Sequence, residues 1–240
     1  FPKKYELPTE KWISVFLDWL VDSANFYFFT FRDVTRSIAS LIEWPYQFLR
    51  NLLIEGFQSG LGDQAVQYAP SLSWIAVITV VVAISYYASD WRLGALTGAC
   101  FVYLAVFGQW QSAMVTLASV LIAVPIGALG GLFLGIIAYK SRIVENCLRP
   151  ILDLMQTVPV FAYLVPVLIL FGFGPVAALV ATVIYAMPPM VRVTIVALKT
   201  VPEEIKEAGK MVGCTDRQMM WKVLVPSASS SLMLGVNQVI

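Results

Sequence analysis

Glu207, Ala208, Gly209 and Gly213 lie in the one long polar stretch of a greasy chain, EEIKEAGKMVGCTDRQMMWKVLVPSASSS, from Glu203 to Ser231. These residue types suit contact rather than bond making. Small residues admit a neighbour, carboxylates and lysines surround them, and Pro226 stands towards the far end. A second group lies upstream, where DLMQTVPVFAYLVPVLILFGFG sets Gln156, Thr157, Phe161 and Tyr163 into an apolar run. Polar side chains and helix-disturbing prolines in such a run are tolerated mainly where they face protein or a wet path. These four are therefore candidates for lining a translocation path. Gln156 and Thr157 serve equally well as hydrogen-bonding glue between helices.

Other chemistries are excluded by what the chain lacks. It has no His, which removes His-based metal sites and His-based acid–base catalysis. Cys100, Cys147 and Cys214 are far apart and fit no metal or redox spacing, so they read as small packing residues. No G-x-x-x-x-G-K-[ST] occurs, so the chain cannot itself cradle ATP phosphates. A net charge of +1 offers nothing to nucleic acid.

The elements that must position the two groups follow from composition. Of 240 residues, 59% are hydrophobic and 13% charged, where soluble domains carry about 25% charged. This is the balance of an all-α polytopic membrane protein. Crossing about 30 Å of hydrocarbon takes roughly 20 apolar residues. Five full spans are predicted, at 72–88, 93–110, 112–139, 151–173 and 175–198, with a partial one at 228–240. Asp153 falls near one end of the fourth, and Arg192 falls inside the fifth, able to snorkel or to pair with a carboxylate. In the third, Gly127, Gly131 and Gly135 recur every fourth residue and form a helix-packing face, while Pro125 allows a kink. Lys140, Arg142 and Arg149 in one loop, and Lys199, Lys206, Lys210, Arg217 and Lys222 in another, put both loops on the cytoplasmic side. Residues 1–70 then fall outside. There WISVFLDWLVDSANFYFF (12–29) reads as an interfacial helix or a packed cap, and LIEWPYQFLRNLLIEGF (41–57) continues the amphipathic style. The domain division expected is an outer amphipathic segment at 1–70 and a transmembrane domain at 71–240 with a cytoplasmic hairpin at 199–226. Starting at Phe1 and stopping in an apolar run, the sequence reads as a piece of a longer chain without a cleavable signal peptide.

The hairpin can be read in detail. Thr200 to Glu203 has the form of a capping box, and Glu203 and Glu204 suit the positive end of a helix dipole. Ile205, Ala208 and Val212 make an apolar stripe, and Gly213 is placed to close the helix at C′. Gly213 is expected to combine a positive φ with a need for space beside Ala208. Thr215 to Gln218 repeats the box and opens a second helix, and Pro226 should break or kink the chain into the next span. Mere connectors take about two to eight residues. This one is much longer, which points to a partner.

Glu207-Ala208-Gly209, three residues, Gly213, nine residues and Val223-Leu224-Val225-Pro226 resemble the EAA loop of ABC-importer permeases, whose pattern is E-A-A, three residues, G, nine residues, I-x-L-P. Gly209 stands in place of the second alanine, and Val223 and Val225 in place of Ile and Leu. With QTVPVFAYLVPVLILFGFG, MPPMVRVT, VPEEIKEAGKMVGCT and GVNQVI, residues 70–240 look like the permease of a glycine betaine/proline betaine/choline-type importer. The resemblance implies an ABC type I importer-like transmembrane domain in the cell (inner) membrane. It implies two permease copies, an ATP-binding subunit dimer that holds ATP and Mg, and an external substrate-binding protein; this chain itself carries no cofactor. Glu207, Ala208, Gly209, Gly213 and Pro226 would form the coupling element, and a missing C-terminal part would complete at least one more span. Other readings of the residues are a secondary transporter, a scaffolding membrane subunit, or an ABC permease for another solute such as an amino acid. The first needs intramembrane acid groups or ion sites for coupling, and only Asp153 and Arg192 come close, with no inverted repeat evident.

Overall fold

The computed structural model describes residues 15, 25–26, 29–59 and 66–240. The interfacial helix expected at 12–29 lies almost wholly outside them. The described chain is mostly helical, with two small antiparallel strand pairs, β1 (Asn25–Phe26) with β2 (Phe29–Thr30) and β3 (Phe57–Ser59) with β4 (Val66–Ala69). The described residues form two compact units, one within 41–122 and one of 123–240 with the described residues before 41.

Helix α1 (Phe31–Arg50) contains Pro45 and ends in a π-helical turn, Asn51–Glu55. From residue 41 onward it is amphipathic, as read from sequence: Tyr46 is buried, whereas Leu41, Trp44 and Phe48 are exposed. Two apolar helices, α2 (Trp74–Ala88) and α3 (Trp91–Val106), follow. Their 15 and 16 residues correspond to about 22–24 Å at 1.5 Å per residue. That is short of the hydrocarbon thickness, so the full spans expected at 72–88 and 93–110 are corrected to shorter helices.

Two described helices are long and apolar enough to cross a membrane: α4 (Trp110–Lys140, 31 residues) and α7 (Pro175–Lys199, 25 residues). The span expected at 151–173 is not continuous. Helix α5 (Arg142–Thr157) and helix α6 (Val160–Phe171) meet at 105°. The cause is local. Pro159 has no N–H, and the residue before a proline is driven from the α region, as Val158 is, at φ −77° and ψ 132°. Helix α5 is also amphipathic, because Arg142, Glu145, Arg149 and Asp153 recur at helical spacing. Two membrane-length helices and one bent pair thus replace three of the five expected spans. The apolar run at 228–240 holds the 11-residue helix Ser229–Val239.

In the unit containing α7, the core sits where α7 meets the chain's last segments, with Met190, Leu198, Met220, Leu224, Leu232 and Val239 buried together. A smaller cluster of Ala138, Leu152, Val191 and Ile195 joins α4, α5 and α7. The glycine face of α4 packs as expected. A Cβ on Gly131 would stand 2.6 Å from Met190 Cβ, and one on Gly135 would stand 2.5 Å from Thr194 Cβ. The backbone of α4 therefore lies directly on α7, which only glycine permits.

Candidate functional site

The polar stretch folds as a hairpin. Its first arm is α8 (Glu203–Met211). The capping box expected at Thr200 is absent. Thr200 remains in the α region at the end of α7, and its hydroxyl donates to the Ala197 carbonyl at 3.0 Å. An N-cap needs extended backbone, which Pro202 supplies at φ −54° and ψ 143°, without a side-chain acceptor. Glu203 instead accepts from Lys206 at 2.8 Å. That bond lowers the Glu203 pKa and raises that of Lys206. Glu203 is largely in water, so the pair adds little stability.

The turn and the second arm form as read. The amide of Gly213 donates to the Lys210 carbonyl and that of Cys214 to the Gly209 carbonyl, at 2.9 and 3.1 Å, with Gly213 at φ +82°. This is a Schellman closure. Thr215 and Gln218 complete the second capping box, with reciprocal bonds of 3.4 and 3.0 Å. The short helix α9 (Asp216–Gln218) then widens into a π-helical segment, Met219–Leu224. Pro226 sits in a three-residue helical turn, and the α-helix is interrupted just after it, at Ala228. Pro226 cannot donate to Lys222, but the π turn shifts the ladder so that Val225 donates to Met220, and Ala228 donates to Leu224 across the proline. The short α10 (Val225–Ser227) and then α11 (Ser229–Val239) continue the path.

The arms are held together at Gly209, which is buried against Met219 and Val223. Met220 and Leu224 anchor the second arm in the core, and Trp221 lies 5.9 Å, centroid to centroid, from Phe133 of α4. Most of the rest of α8 is uncovered: Ile205, Glu207 and Ala208 are exposed, Met211 is 88% exposed, and Val212, just past the helix end, is 84% exposed. The apolar stripe read from sequence thus points outward. The bulk argument at Gly213 is corrected, because a Cβ there would meet nothing within 4 Å. Only the backbone strain remains, about 1 kcal/mol for a β-carbon at positive φ. Gly213→Val should raise amide hydrogen exchange at Cys214 about fivefold, the equilibrium equivalent of that cost. Gly213→Asn should raise it less, since Asn tolerates this conformation. Equal exchange in the valine variant would exclude a strained turn.

One member of the second group, Gln156, lines a cavity of about 400 Å³ together with Tyr185, Pro189, Arg192, Val193 and Gln238. Helices α5, α7 and α11 each contribute to it. Of the four expected path residues, Gln156 lines it. Tyr163 sits with its ring centroid 6.3 Å from that of Tyr185, its hydroxyl donating to the Met155 carbonyl. Thr157 turns its hydroxyl to the Leu154 carbonyl at 2.9 Å, and Phe161 is 81% exposed, off the cavity. Tyr185, Pro189 and Gln238 were not singled out as path residues, although the first two lie beside and within the proline pair of YAMPPMVR. Arg192 takes the carboxylate option and pairs with Asp153.

A buried acid was missed altogether. Glu145, 5% exposed, accepts from Lys199 at 2.6 and 2.7 Å and from Arg149 at 2.6 Å. The bonds from Lys199, then those from Arg149, hold its carboxyl below the usual glutamate range. This contact joins the start of α5 to the end of α7, so the two basic loops lie on one side of the unit.

Comparison with known proteins follows this geometry. Residues 127–239 match the family model described as binding-protein-dependent transport system inner membrane component. The chain is 38% identical over 215 residues to the trimethylamine N-oxide transport system permease protein TmoV of Pelagibacter ubique, covering 86% of this chain and 30% of that protein. It is 34% identical over 232 residues to the glycine betaine/proline betaine transport system permease protein ProW of Escherichia coli, covering 97% of this chain and 59% of that protein. It is 36% identical over 185 residues to the glycine betaine transport system permease protein OpuAB of Bacillus subtilis, covering 77% of this chain and 63% of that protein. The chain thus spans less than two thirds of each relative's length.

Proposed function

Since the chain belongs to the family of binding-protein-dependent transport system inner membrane components, we propose that it is the membrane-spanning part of an ATP-driven importer for small methylated-ammonium osmolytes. Glycine betaine and trimethylamine N-oxide are the leading substrates, because the relatives' names carry them. The hairpin is the coupling element. Glu207, Ala208 and the exposed apolar face of α8 seat in a groove of a separate ATP-binding subunit, Gly209 and Gly213 set the hairpin's shape, and Pro226 follows its anchored arm. A second permease copy and an external binding protein complete the assembly, and the hairpin faces the cytoplasm as the Lys/Arg bias indicates. ATP and Mg belong to the partner subunit.

One observation carries this reading: α8 is anchored through Gly209 and leaves Met211, and Val212 just after it, uncovered. Side chains that apolar on a charged hairpin suit a partner's surface. An ion-coupled transporter is less well supported, because Asp153, the acid nearest the cavity, is held by Arg192. The test is Met211→Asp with Val212→Asp in the complete importer. Uptake should fall at least tenfold, and the ATPase should co-purify poorly, while the permease inserts normally because its apolar helices are unchanged. Wild-type uptake and co-purification in this variant would overturn the coupling role.

A further inference from the structure

The cavity's wall chemistry is specific. Two amides, Gln156 and Gln238, face it with a tyrosine and a guanidinium, and Tyr163 backs the tyrosine. Its volume of about 400 Å³ falls in the range of small-molecule sites, about 300–1,000 Å³. The guanidinium of Arg192 is already paired with Asp153, and both side chains reach solvent, at 42% and 67% exposure. With both partners accessible, the charges of a small ligand can compete for them.

Resting on the permease reading above, we propose that this cavity is a transit site for a small dipolar ion, a methylated cationic nitrogen joined to an oxyanion. The oxyanion takes Arg192 from Asp153. The methylated cation lies on the Tyr185 face, where the ring quadrupole attracts it, with the released Asp153 carboxylate nearby. The amides of Gln156 and Gln238 serve the oxyanion's remaining lone pairs. The exchange replaces one ion pair by two and leaves the net charge unchanged, whereas a simple cation lacks the group that frees Asp153. A carboxylate and an N-oxide share this chemistry, which accommodates both substrate classes named for the relatives. A conduit must also release what it binds, and a solvent-reaching pair suits weak, reversible contact better than a dry one.

Charge reversal separates this role from a structural brace. Arg192→Asp with Asp153→Arg preserves an ion pair between α5 and α7 but inverts its polarity around Tyr185. Tyr185→Leu leaves the pair intact and removes the aromatic face. Both variants are examined in the full importer, with its ATPase and binding protein, for assembly and for uptake of glycine betaine and of trimethylamine N-oxide. The half-saturating concentration is set upstream by the binding protein. The site therefore predicts an unchanged half-saturating concentration and a maximal rate at least tenfold lower in each variant that assembles. Wild-type uptake by the reversed pair means that the pair is only a brace and overturns the proposal. Wild-type uptake by Tyr185→Leu overturns it too, even if the reversed pair fails to assemble. A wild-type importer that moves neither probe, with neither stimulating ATP hydrolysis, instead removes the permease reading itself.

Discussion

Gly135→Val is expected to force α4 away from α7 and to destabilise the fold. A Cβ there meets Thr194 Cβ at 2.5 Å and the Val191 carbonyl oxygen at 3.1 Å. Neither can swing aside: the first is the branch point of a fully buried side chain, and the second is backbone. Gly131 repeats the situation, with Met190 Cβ at 2.6 Å and the Met187 carbonyl oxygen at 3.1 Å. Overpacking a formed interface costs typically about 1–3 kcal/mol per site, and more where the backbone must part. Two such sites on one helix face together cost about 2–6 kcal/mol by that measure, and more if the helices part, which reaches the margin of about 5–15 kcal/mol. Gly131→Val with Gly135→Val should therefore leave no monodisperse peak in detergent, and the single Gly135→Val should lower the thermal midpoint clearly. Gly130→Ala is the control. Its Cβ would stand 2.3 Å from Met187, but from the terminal methyl of a flexible side chain, which moves at little cost. An unchanged midpoint in Gly135→Val would refute the close α4–α7 contact.

That seam was legible in the sequence, because a four-residue repeat of glycine has one meaning on a helix and needs no knowledge of the partner. The resemblance to binding-protein-dependent permeases was legible for a similar reason: the hairpin motif is local and spaced. Local signals succeeded again at Gly213 and at the Thr215–Gln218 box. The same logic failed at Thr200, because a cap depends on where the preceding helix stops. Helix α7 runs on through Lys199 and keeps Thr200 in its last turn. Counting apolar residues also misjudged the spans. Hydropathy sums across Val158–Pro159, where the backbone turns, and it cannot tell a short apolar helix such as α2 from a membrane-length one. The cavity was half visible. Gln156 stands out as a polar residue in an apolar run, but Tyr185 and Gln238 become its neighbours only when α7 packs on α11. Glu145 gave no signal, since a carboxylate in a basic loop reads as solvated until the fold buries it.

Glu145 is where the second large effect is expected. It ties the start of α5 to Lys199, the last residue of α7 and the root of the hairpin. Arg192–Asp153 ties the same two helices farther along, towards Gln156 and the cavity. Two ion pairs about two turns apart tie α5 to α7 as antiparallel neighbours, so on the coupling role proposed above the buried Glu145 pair is the firmer link between the hairpin and α5. Glu145→Gln keeps the shape and removes the charge that holds two cations. The complex should still assemble, because Lys199 and Arg149 can turn to water, but uptake should fall about tenfold while ATP hydrolysis continues. Charge exchange, Glu145→Lys with Lys199→Glu, should recover part of the uptake. The pH dependence has a definite sign. A carboxylate whose folded pKa is depressed stabilises the fold above its unfolded value, about 4.3 for Glu. That stabilisation is lost only as pH falls through the lower folded value. The difference in thermal midpoint between wild type and Glu145→Gln should thus stay constant from neutral pH to about 5 and close below the ordinary glutamate range. Closure of the gap already between pH 7 and 6, or full coupling in Glu145→Gln, would mean that the Lys199 contact has no part in the coupling proposed for the hairpin.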